Sequence, residues 1–259
     1  MDKRKIFDCF IFFNEFEMLD FRLQELDSIV DKFVLVESTT SHVGNPKPLY
    51  FLENKNRFDK YLHKIVHVVA DGLNSKNHWS NENKHREKIH DGIELIQPDD
   101  EDLIIISDVD EIPDIQSLSQ FSNGSFYNTI YSLEQEMYYY NINCKLKQNW
   151  YKSKVLKYSL YKLIRNPQKI RMQSFIQVIK NGGWHFSFFG NPNFIKNKIQ
   201  NFAHQEFNRP DIVSDENIEI SIKECKDIFK RETEQFEFIE LCDNNYLPKN
   251  YRKLLEIKK

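Results

Sequence analysis

Residues 103–113 read Leu-Ile-Ile-Ile-Ser-Asp-Val-Asp-Glu-Ile-Pro, and they are the part of the chain that is most informative about its fold class. Four consecutive apolar residues, three of them β-branched, predict a buried strand over Leu103–Ile106. Three carboxylates follow the strand, and Pro113 then suits the first turn of a helix. Open α/β sheets commonly build their ligand sites where such strands end. The stretch therefore predicts an α/β fold with a site at this edge of the sheet.

The spacing of Asp108 and Asp110 indicates the chemistry of that site. Two carboxylates separated by one residue suit a hard divalent cation that also binds phosphate oxygens. This pattern predicts a metal-dependent enzyme that acts on a nucleotide-activated substrate. The same residues also allow a plainer interpretation, in which both aspartates face solvent and Asp110 or Glu111 caps a following helix.

Composition limits the class of protein and its partners. The chain has 259 residues, of which 40% are hydrophobic and 14% aromatic, and this suits one large domain with a substantial core. A net charge of −3 implies neither a nucleic acid nor an anionic membrane as a partner. The four cysteines are far apart and form no Cys-x-x-Cys pair, which favours free thiols in a reducing compartment over a zinc site or disulfides.

The N-terminal apolar run predicts a core strand instead of a targeting segment. Residues 6–13 are too few for a membrane span, Asp8 interrupts them, and no small-residue cleavage site follows. No other stretch predicts a membrane span. We therefore expect a soluble, cytoplasmic protein.

Strands and helices alternate in the first half of the chain, as judged from hydrophobic periodicity. The predicted elements are the strands Ile6–Phe13, Lys32–Glu37, Lys64–Val69 and Leu103–Ile106, with helices at Phe16–Leu26 and Ser80–Ile96. Repeated strand–helix–strand units favour a mainly parallel sheet with right-handed crossovers. Several of these strands end in polar or acidic residues, which would gather along one edge.

The second half has the pattern of antiparallel strands joined by short polar links. The predicted strands are Phe126–Leu133, Met137–Ile142, Val155–Ile164, Phe175–Ile179 and Phe186–Phe189. Helices are predicted to begin after Asn191-Pro192 and after Ser214. Since no repeat, linker or low-complexity tract interrupts the chain, residues 1–259 are predicted to form one domain.

A second informative cluster is Asn181-Gly182-Gly183-Trp184-His185-Phe186-Ser187. Its two glycines would let the backbone approach a ligand or form a tight turn. His185 is a candidate to complete a metal shell that an acid begins elsewhere. The alternative is a glycine turn leading into an aromatic core strand, with His185 hydrogen-bonded in place.

Three further side chains are candidates, each with an ordinary explanation. Glu37 ends a strand and would reach a ribose or base, or simply belong to a strand-end turn. Arg86 would neutralise a phosphate through its guanidinium, or pair with Glu82 on a helix surface. Glu206 would serve as a base, or mark an exposed helix end. The chain lacks P-loop, dinucleotide-binding and nucleophile-elbow motifs.

Taken in order, five short stretches resemble glycosyltransferase family 17, the β-1,4-mannosyl-glycoprotein β-1,4-N-acetylglucosaminyltransferase-like group. They span about residues 6–208. These stretches are Phe13-Asn14-Glu15-Phe16-Glu17-Met18-Leu19, Val34-Leu35-Val36-Glu37-Ser38-Thr39, Pro46-Lys47-Pro48-Leu49-Tyr50-Phe51, Asp108-Val109-Asp110-Glu111-Ile112-Pro113 and Gly183-Trp184-His185-Phe186-Ser187.

The resemblance implies a GT-A-like, Rossmann-like single domain and an inverting transfer from a nucleotide sugar. Residues 1–115 would bind the nucleotide sugar, residues 116–243 would lie on the acceptor side, and residues 244–259 would form a peripheral tail. The family's donor is UDP-N-acetylglucosamine, and the implied acceptor is a glycan or glycoprotein. The remaining implied partner is a metal ion.

Site roles follow from the resemblance. Asp108 and Asp110 would hold Mn²⁺ or Mg²⁺ against the donor diphosphate, with Asp110 the first choice as direct ligand and Asp108 on the metal or the ribose. His185 resembles the distal metal ligand of such folds. Arg86 would add positive charge. Trp184 or one of Tyr138, Tyr139 and Tyr140 would stack on a sugar or base, with core packing as the alternative role of these rings.

The proton-accepting base is not chosen by the sequence, and the candidates are Glu206, Glu136 and Glu111. Two other functions remain open: a metal-dependent nucleotidyltransferase, and a catalytically silent module that binds a nucleotide sugar or glycan. The linkage formed and the oligomeric state lie outside what these motifs encode.

Overall fold

The computed structural model describes residues 4–123, 127–174 and 177–257, and in these ranges ten strands form one mixed sheet. The strands are β1 Ile6–Ile11, β2 Lys32–Ser38, β3 Ile65–Ala70, β4 Leu103–Asp108, β5 Glu111–Pro113, β6 Tyr131–Tyr139, β7 Cys144–Trp150, β8 Lys154–Lys157, β9 Gln177–Ser187 and β10 Phe236–Phe238.

Helices connect and cover these strands. The α-helices are α1 Phe16–Leu26, α2 Tyr50–Asn54, α3 His78–Glu87, α4 Ile89–Ile96, α5 Ile115–Asn123, α6 Tyr158–Ile164, α7 Pro167–Arg171, α8 Pro192–Asn201, α9 Pro210–Val213 and α10 Asp215–Glu224. Short 3-10 helices span Lys55–Lys64, Gln205–Phe207 and Tyr251–Leu255. Among the described helices, none combines the length and the apolar character needed to cross a bilayer.

The predicted α/β class is confirmed, with a Rossmann-like first half. Strands β3, β2, β1 and β4 lie side by side in that order and pair in parallel. Beyond β4 the order continues β8, β6, β7 and β10, all antiparallel. The second half is nevertheless not purely antiparallel, because β9 runs parallel to β6 and also pairs with β5.

Helices cover both faces of the parallel strands because successive side chains of a strand point to opposite faces. Ile6 and Phe10 of β1 pack on the face covered by α1, whereas Phe7 and Cys9 pack on the face covered by α4. A third cluster joins β6 and β7 to α8 and α10. The first two clusters also include residues of β6 and β8, and so they join the two halves of the sheet.

Two local predictions in the first half were wrong. The predicted helix Ser80–Ile96 is two helices, α3 and α4, separated at Lys88. Pro113 ends β5 and does not begin a helix, because β5 pairs with β9. The helix starts later, where the Asp114 carboxylate accepts a hydrogen bond from the Gln116 N–H at 2.8 Å.

Most strand predictions of the second half were wrong in their bounds. The stretches predicted as Phe126–Leu133 and Met137–Ile142 contribute to the single strand β6, and β7 was not predicted. The predicted strand Val155–Ile164 is a strand followed by α6, since the N–H groups of Tyr158 and Ser159 turn to the carbonyls of Asp102 and Asp100. Residues 126, 175 and 176 of the predicted strands lie outside the described residues.

The two glycines of the second cluster sit within β9, where neighbouring strands come close. A Cβ on Gly182 would lie 2.8 Å from the Leu133 Cα, and one on Gly183 would lie 2.1 Å from the Ile112 carbonyl oxygen. Gly183 also has a φ of +131°, which disfavours any side chain. The absence of a side chain at both glycines therefore makes room for the backbone of β5 and β6, which can then pair with β9; it does not make room for a ligand.

The prediction of four free thiols was wrong for two cysteines. Cys144 on β7 and Cys225 at the end of α10 form a disulfide, although 81 residues separate them. The third cluster brings these elements together, which cysteine spacing alone does not indicate. Since disulfides persist chiefly in oxidising compartments, the predicted reducing compartment loses its support from the cysteines.

Candidate active site

A cavity of about 990 Å³ opens at the carboxyl ends of the parallel strands. Ile11, Ser38 and Asp108, which end β1, β2 and β4, contribute to its wall. Strands β7 and β9 and helix α8 supply the opposite wall. The polar strand ends thus gather along one sheet edge, as the sequence predicts, and the later half of the chain encloses them.

Arg22 of α1 holds the acidic loop after β4. This fully buried guanidinium donates to both carboxylate oxygens of Asp8, at 2.6 and 2.8 Å. It also donates to the backbone carbonyls of Asp108, Val109 and Glu111, at 2.9, 3.2 and 2.7 Å. The path of the loop is therefore determined by one buried cation whose charge Asp8 balances.

Asp108 lies between two buried arginines. Arg86 donates to its Oδ1 at 2.8 Å and Arg171 donates to its Oδ2 at 2.6 Å. Arg86 also contacts Glu82 and Gln168, so the predicted pair with Glu82 exists within a larger network. Because both oxygens of Asp108 are engaged, this carboxylate orients guanidinium groups at the cavity wall.

Glu111 is buried and fully engaged. Its carboxylate accepts hydrogen bonds from Arg171 at 2.7 Å, from the Ser153 hydroxyl at 2.7 Å, and from the backbone N–H of Asp108 at 2.9 Å. Burial alone would raise the pKa of Glu111, but Arg171 lowers it below its usual range. An anion held this firmly, outside the cavity lining, serves the loop's structure and not proton transfer.

Asp110 and His185 face each other at the cavity wall. The Asp110 carboxylate accepts a hydrogen bond from Lys198 at 2.9 Å, and its other oxygen lies 3.5 Å from the His185 Nε2. Burial opposes ionisation of Asp110, but Lys198 and His185 lower its pKa far below its ordinary value. Asp110 is therefore an anion at neutral pH. Lys198 also lies 3.5 Å from Glu15.

Pairing of β5 with β9 brings these two motifs together. Glu111 lies opposite His185 in the antiparallel register, and the Phe186 N–H donates to the Asp110 carbonyl at 2.8 Å. The acid run and the Gly-Trp-His cluster therefore lie together, as predicted, because they belong to strands that are hydrogen-bonded to each other.

The fit of a metal ion differs among the predicted ligands. No group of three or more metal-binding side chains occurs within residues 4–123, 127–174 and 177–257. Both oxygens of Asp108 are already bound, whereas Asp110 and His185 present an oxygen and a nitrogen at one point of the wall. Within the part of the chain that the structure describes, the buried His185 Nδ1 has no hydrogen-bond partner. These two residues fit a site completed by substrate phosphate oxygens and water, the usual arrangement for such cations.

Charge in this corner also fits an added cation. Glu15 and Asp110 contribute two negative charges, which Lys198 alone balances among the described contacts. In the neighbouring network, three carboxylates (Glu82, Asp108 and Glu111) face two guanidinium groups. Both groups therefore retain an excess of negative charge next to the cavity.

Glu37 and Trp184 do not line the cavity. Buried Glu37 accepts hydrogen bonds from the N–H groups of Phe51 and Leu52, at the start of α2, and lies 2.7 Å from the His67 ring. The Trp184 ring packs on Tyr246 with centroids 4.7 Å apart. Neither side chain is free to bind the donor, and the tail predicted to be peripheral supplies this packing partner.

The remaining predicted bases, Glu136 and Glu206, also lie outside the cavity lining. Glu136 accepts from the Tyr138 hydroxyl and from Lys145, both at 2.6 Å. The Glu206 side chain is 55% exposed and lies 2.7 Å from the His204 ring. The side-chain contact of Glu206 is with a residue of the cavity lining, His204, whereas the two side-chain partners of Glu136 do not line the cavity.

Several functional candidates carry no sequence motif. Arg171 and Lys198 lie on helices α7 and α8, and each contacts an aspartate more than 60 residues away in the chain. Charged residues on short amphipathic helices are ordinarily solvated, so spacing gives no reason to select them. The one indirect signal is that buried aspartates need cationic partners, so some arginine or lysine was to be expected next to them.

His42 and His85 form a second unpredicted feature of the lining. The His85 Nε2 lies 3.1 Å from the Val36 carbonyl oxygen, and its Nδ1 lies 3.2 Å from the His42 Nε2. Since a carbonyl only accepts, the His85 proton sits on Nε2 and His42 must donate to Nδ1. Burial lowers the pKa of both rings, which keeps them neutral.

This histidine pair predicts a loss of stability in mild acid. Burial lowers the pKa of His85 well below 6.5, so below that pH the unfolded chain gains a proton that the folded chain does not. The free energy of unfolding should fall by up to about 1.4 kcal/mol per pH unit until the folded pKa is reached. In His85→Gln, urea titrations at pH 8 and pH 5 should differ less than in the wild type. The exposed variant His63→Gln should keep the wild-type difference, and an unchanged difference in His85→Gln would contradict the prediction.

Comparison with known proteins adds to this geometry. The model of glycosyltransferase family 17 matches residues 1–253. The β-1,4-mannosyl-glycoprotein 4-β-N-acetylglucosaminyltransferases of Rattus norvegicus and Homo sapiens are each 33% identical over 119 residues, and that of Mus musculus is 32% identical. These matches cover 42% of the chain and 22% of each relative. The chain thus matches about a fifth of the length of these relatives.

Proposed function

The chain belongs to glycosyltransferase family 17, and on this premise we propose that it transfers N-acetylglucosamine from UDP-N-acetylglucosamine to a hydroxyl group of a glycan. We propose further that the fold is of the GT-A type and that transfer inverts the anomeric carbon. The names of the similar enzymes support the sugar, and the family supports a nucleotide-sugar donor with a glycan acceptor.

One observation carries the proposal: Asp110, His185, Lys198 and two buried arginines meet at the carboxyl ends of parallel strands, beside a large cavity. Nucleotides commonly bind at this edge of an open α/β sheet. A donor diphosphate needs cationic groups that are fixed before it arrives, and the carboxylate partners fix these ones.

Arg86 and Lys198 would stabilise the departing nucleoside diphosphate. Burial tends to lower the pKa of both groups, but Asp108 raises that of Arg86 and Asp110 raises that of Lys198, so both remain charged. The Arg86 Nε has no hydrogen-bond partner among the described residues. Donors held in place in a partly enclosed site interact strongly with charge that develops during bond cleavage.

Metal dependence is part of the proposal. Asp110 and His185 would hold Mn²⁺ or Mg²⁺, with phosphate oxygens and water as the other ligands. A cation bound there would act as a Lewis acid that offsets the charge of the leaving group. Asp108 would orient Arg86 and Arg171 beside it.

A thermal-shift screen of nucleotide sugars, with and without Mn²⁺, tests the function. Ligand at a hundredfold excess over its Kd stabilises the folded protein by about 2.7 kcal/mol. For a chain of this size, that corresponds to a rise in Tm of about 5–10 °C. We expect UDP-N-acetylglucosamine with Mn²⁺ to give the largest shift, and an added glycan acceptor to release UDP.

Three results would contradict the proposal, and two of them point elsewhere. Stabilisation by a nucleoside triphosphate with release of pyrophosphate would indicate a nucleotidyltransferase. Donor binding without turnover over a broad acceptor panel would indicate a binding module. The third result is the absence of any shift with every nucleotide sugar tested.

A further inference from the structure

Five carboxylates line the cavity, and four of them are already engaged. Glu15 accepts from the N–H groups of Phe13 and Asn14, and Glu82 is bound by Arg86. Asp108 and Asp110 have the partners described above. Each of these four anions is stabilised by at least one hydrogen-bond donor or cation, which favours its charged form and weakens it as a proton acceptor.

Glu234 is the fifth, and among the described residues its carboxylate accepts no hydrogen bond. Its nearest cationic group is the Arg231 guanidinium, at 3.7 Å. The Glu234 side chain is 23% exposed, so it is in contact with the cavity without being buried as a structural anion. A general base needs such a carboxylate, ionised and within reach of a hydroxyl proton.

Glu234 is positioned by β7, because a side chain on the cavity face of that strand binds the residue before it. Leu146, Gln148 and Trp150 alternate along that strand and all line the cavity. The Trp150 ring packs on His185 with centroids 4.9 Å apart, and the Gln148 side chain donates to the Thr233 carbonyl at 3.3 Å. Two strand residues span about 7 Å, so Gln148 holds the segment that carries Glu234 roughly that far along β7 from Trp150, the residue that contacts His185.

An aromatic surface adjoins Glu234. The rings of Phe207 and Phe229 stack with centroids 4.2 Å apart, and the Arg231 guanidinium lies 5.1 Å from the Phe229 centroid. Both rings line the same cavity. Ligand sites commonly combine such apolar walls with a few fixed polar groups, and the apolar face of a sugar ring would fit here.

We propose that the acceptor sugar lies on the Phe207–Phe229 surface and that Glu234 is the general base, an inference that rests on the proposed function. The acceptor hydroxyl oxygen forms a bond to the anomeric carbon of the donor. The bond from that carbon to the diphosphate oxygen breaks, and its electron pair leaves with the nucleoside diphosphate. The hydroxyl proton passes to the Glu234 carboxylate and then to solvent.

The test compares Glu234→Gln with the wild type and with Glu232→Gln, an exposed residue of the same segment. We expect kcat of Glu234→Gln to fall about 10²- to 10⁴-fold. The donor-induced rise in Tm should remain, and the acid limb of the kcat/KM profile should disappear. Glu232→Gln should match the wild type in all three measurements.

Each other outcome overturns the assignment. An unchanged kcat, or a raised KM alone, would assign Glu234 no part in proton transfer. Loss of the donor-induced rise in Tm would assign it to donor binding. Failure of the proposed function is seen separately, because the wild-type enzyme would then release no nucleoside diphosphate with any acceptor.

Discussion

Replacing Asp110 with asparagine is expected to lower kcat/KM at least about a thousandfold. The change removes the charge of a carboxylate that accepts a hydrogen bond from Lys198 and faces His185 at the cavity wall. A Lewis acid at a leaving group contributes several kcal/mol to the transition state, and each 1.36 kcal/mol is a factor of about ten in rate. Asparagine keeps the size of the side chain, so the effect reports charge and ligation.

The same variant separates metal binding from folding. We expect Asp110→Asn to keep a cooperative thermal transition but to lose the extra rise in Tm that Mn²⁺ gives with nucleoside diphosphate. Asp211→Asn, an exposed aspartate, is the control and should retain both rate and shift. Full activity of Asp110→Asn, or undiminished wild-type activity in EDTA, would contradict the metal-dependent mechanism.

Arg22→Leu is expected to lower the free energy of unfolding by about 3–5 kcal/mol. The substitution leaves the Asp8 carboxylate buried without its cation and removes the donor to three carbonyls of the acidic loop. A buried charge without a partner costs far more than an exposed one. Urea denaturation monitored by circular dichroism measures the change.

Matched variants test this interpretation of Arg22. Arg209→Leu breaks an exposed pair with Asp211 and should change stability by less than about 1 kcal/mol. The double variant Asp8→Leu with Arg22→Leu should recover part of the loss, because no unpaired buried charge remains. Equal stability of Arg22→Leu and Arg209→Leu would show that the buried pair does not support the loop.

The first half of the fold could be predicted because its signals are local. The spacing of apolar residues predicted α1 with its observed bounds, Phe16–Leu26, and each of the four parallel strands to within two residues. Most strands of the second half could not be predicted in this way, because their pairing depends on residues that are far apart in the sequence. The same cause explains one error in the first half: Pro113, which was expected in a helix, ends β5 because β5 pairs with β9.

The site divides in the same way. Asp108, Asp110 and His185 were predicted from short motifs, and Arg86 from its position on the helix before the acidic strand; all four line the cavity. Glu37 and Trp184 lie in the same set of motifs, and Glu136 was one of three candidate bases, yet each is engaged by neighbours elsewhere. Whether a polar side chain is free depends on its partners in space, and motifs do not report those partners.

Local sequence signals were sufficient to predict the α/β class and the acid run after a central buried strand, and the resemblance in the motifs is confirmed by family membership. Which acids remain available for chemistry depends on contacts that form in the folded chain. Periodicity and capping arise within a few residues, whereas the pairs Asp108–Arg171 and Asp110–Lys198 join residues 63 and 88 positions apart. Such pairs form only once the register of β5 against β9 and the packing of α7 and α8 have been fixed by the whole core.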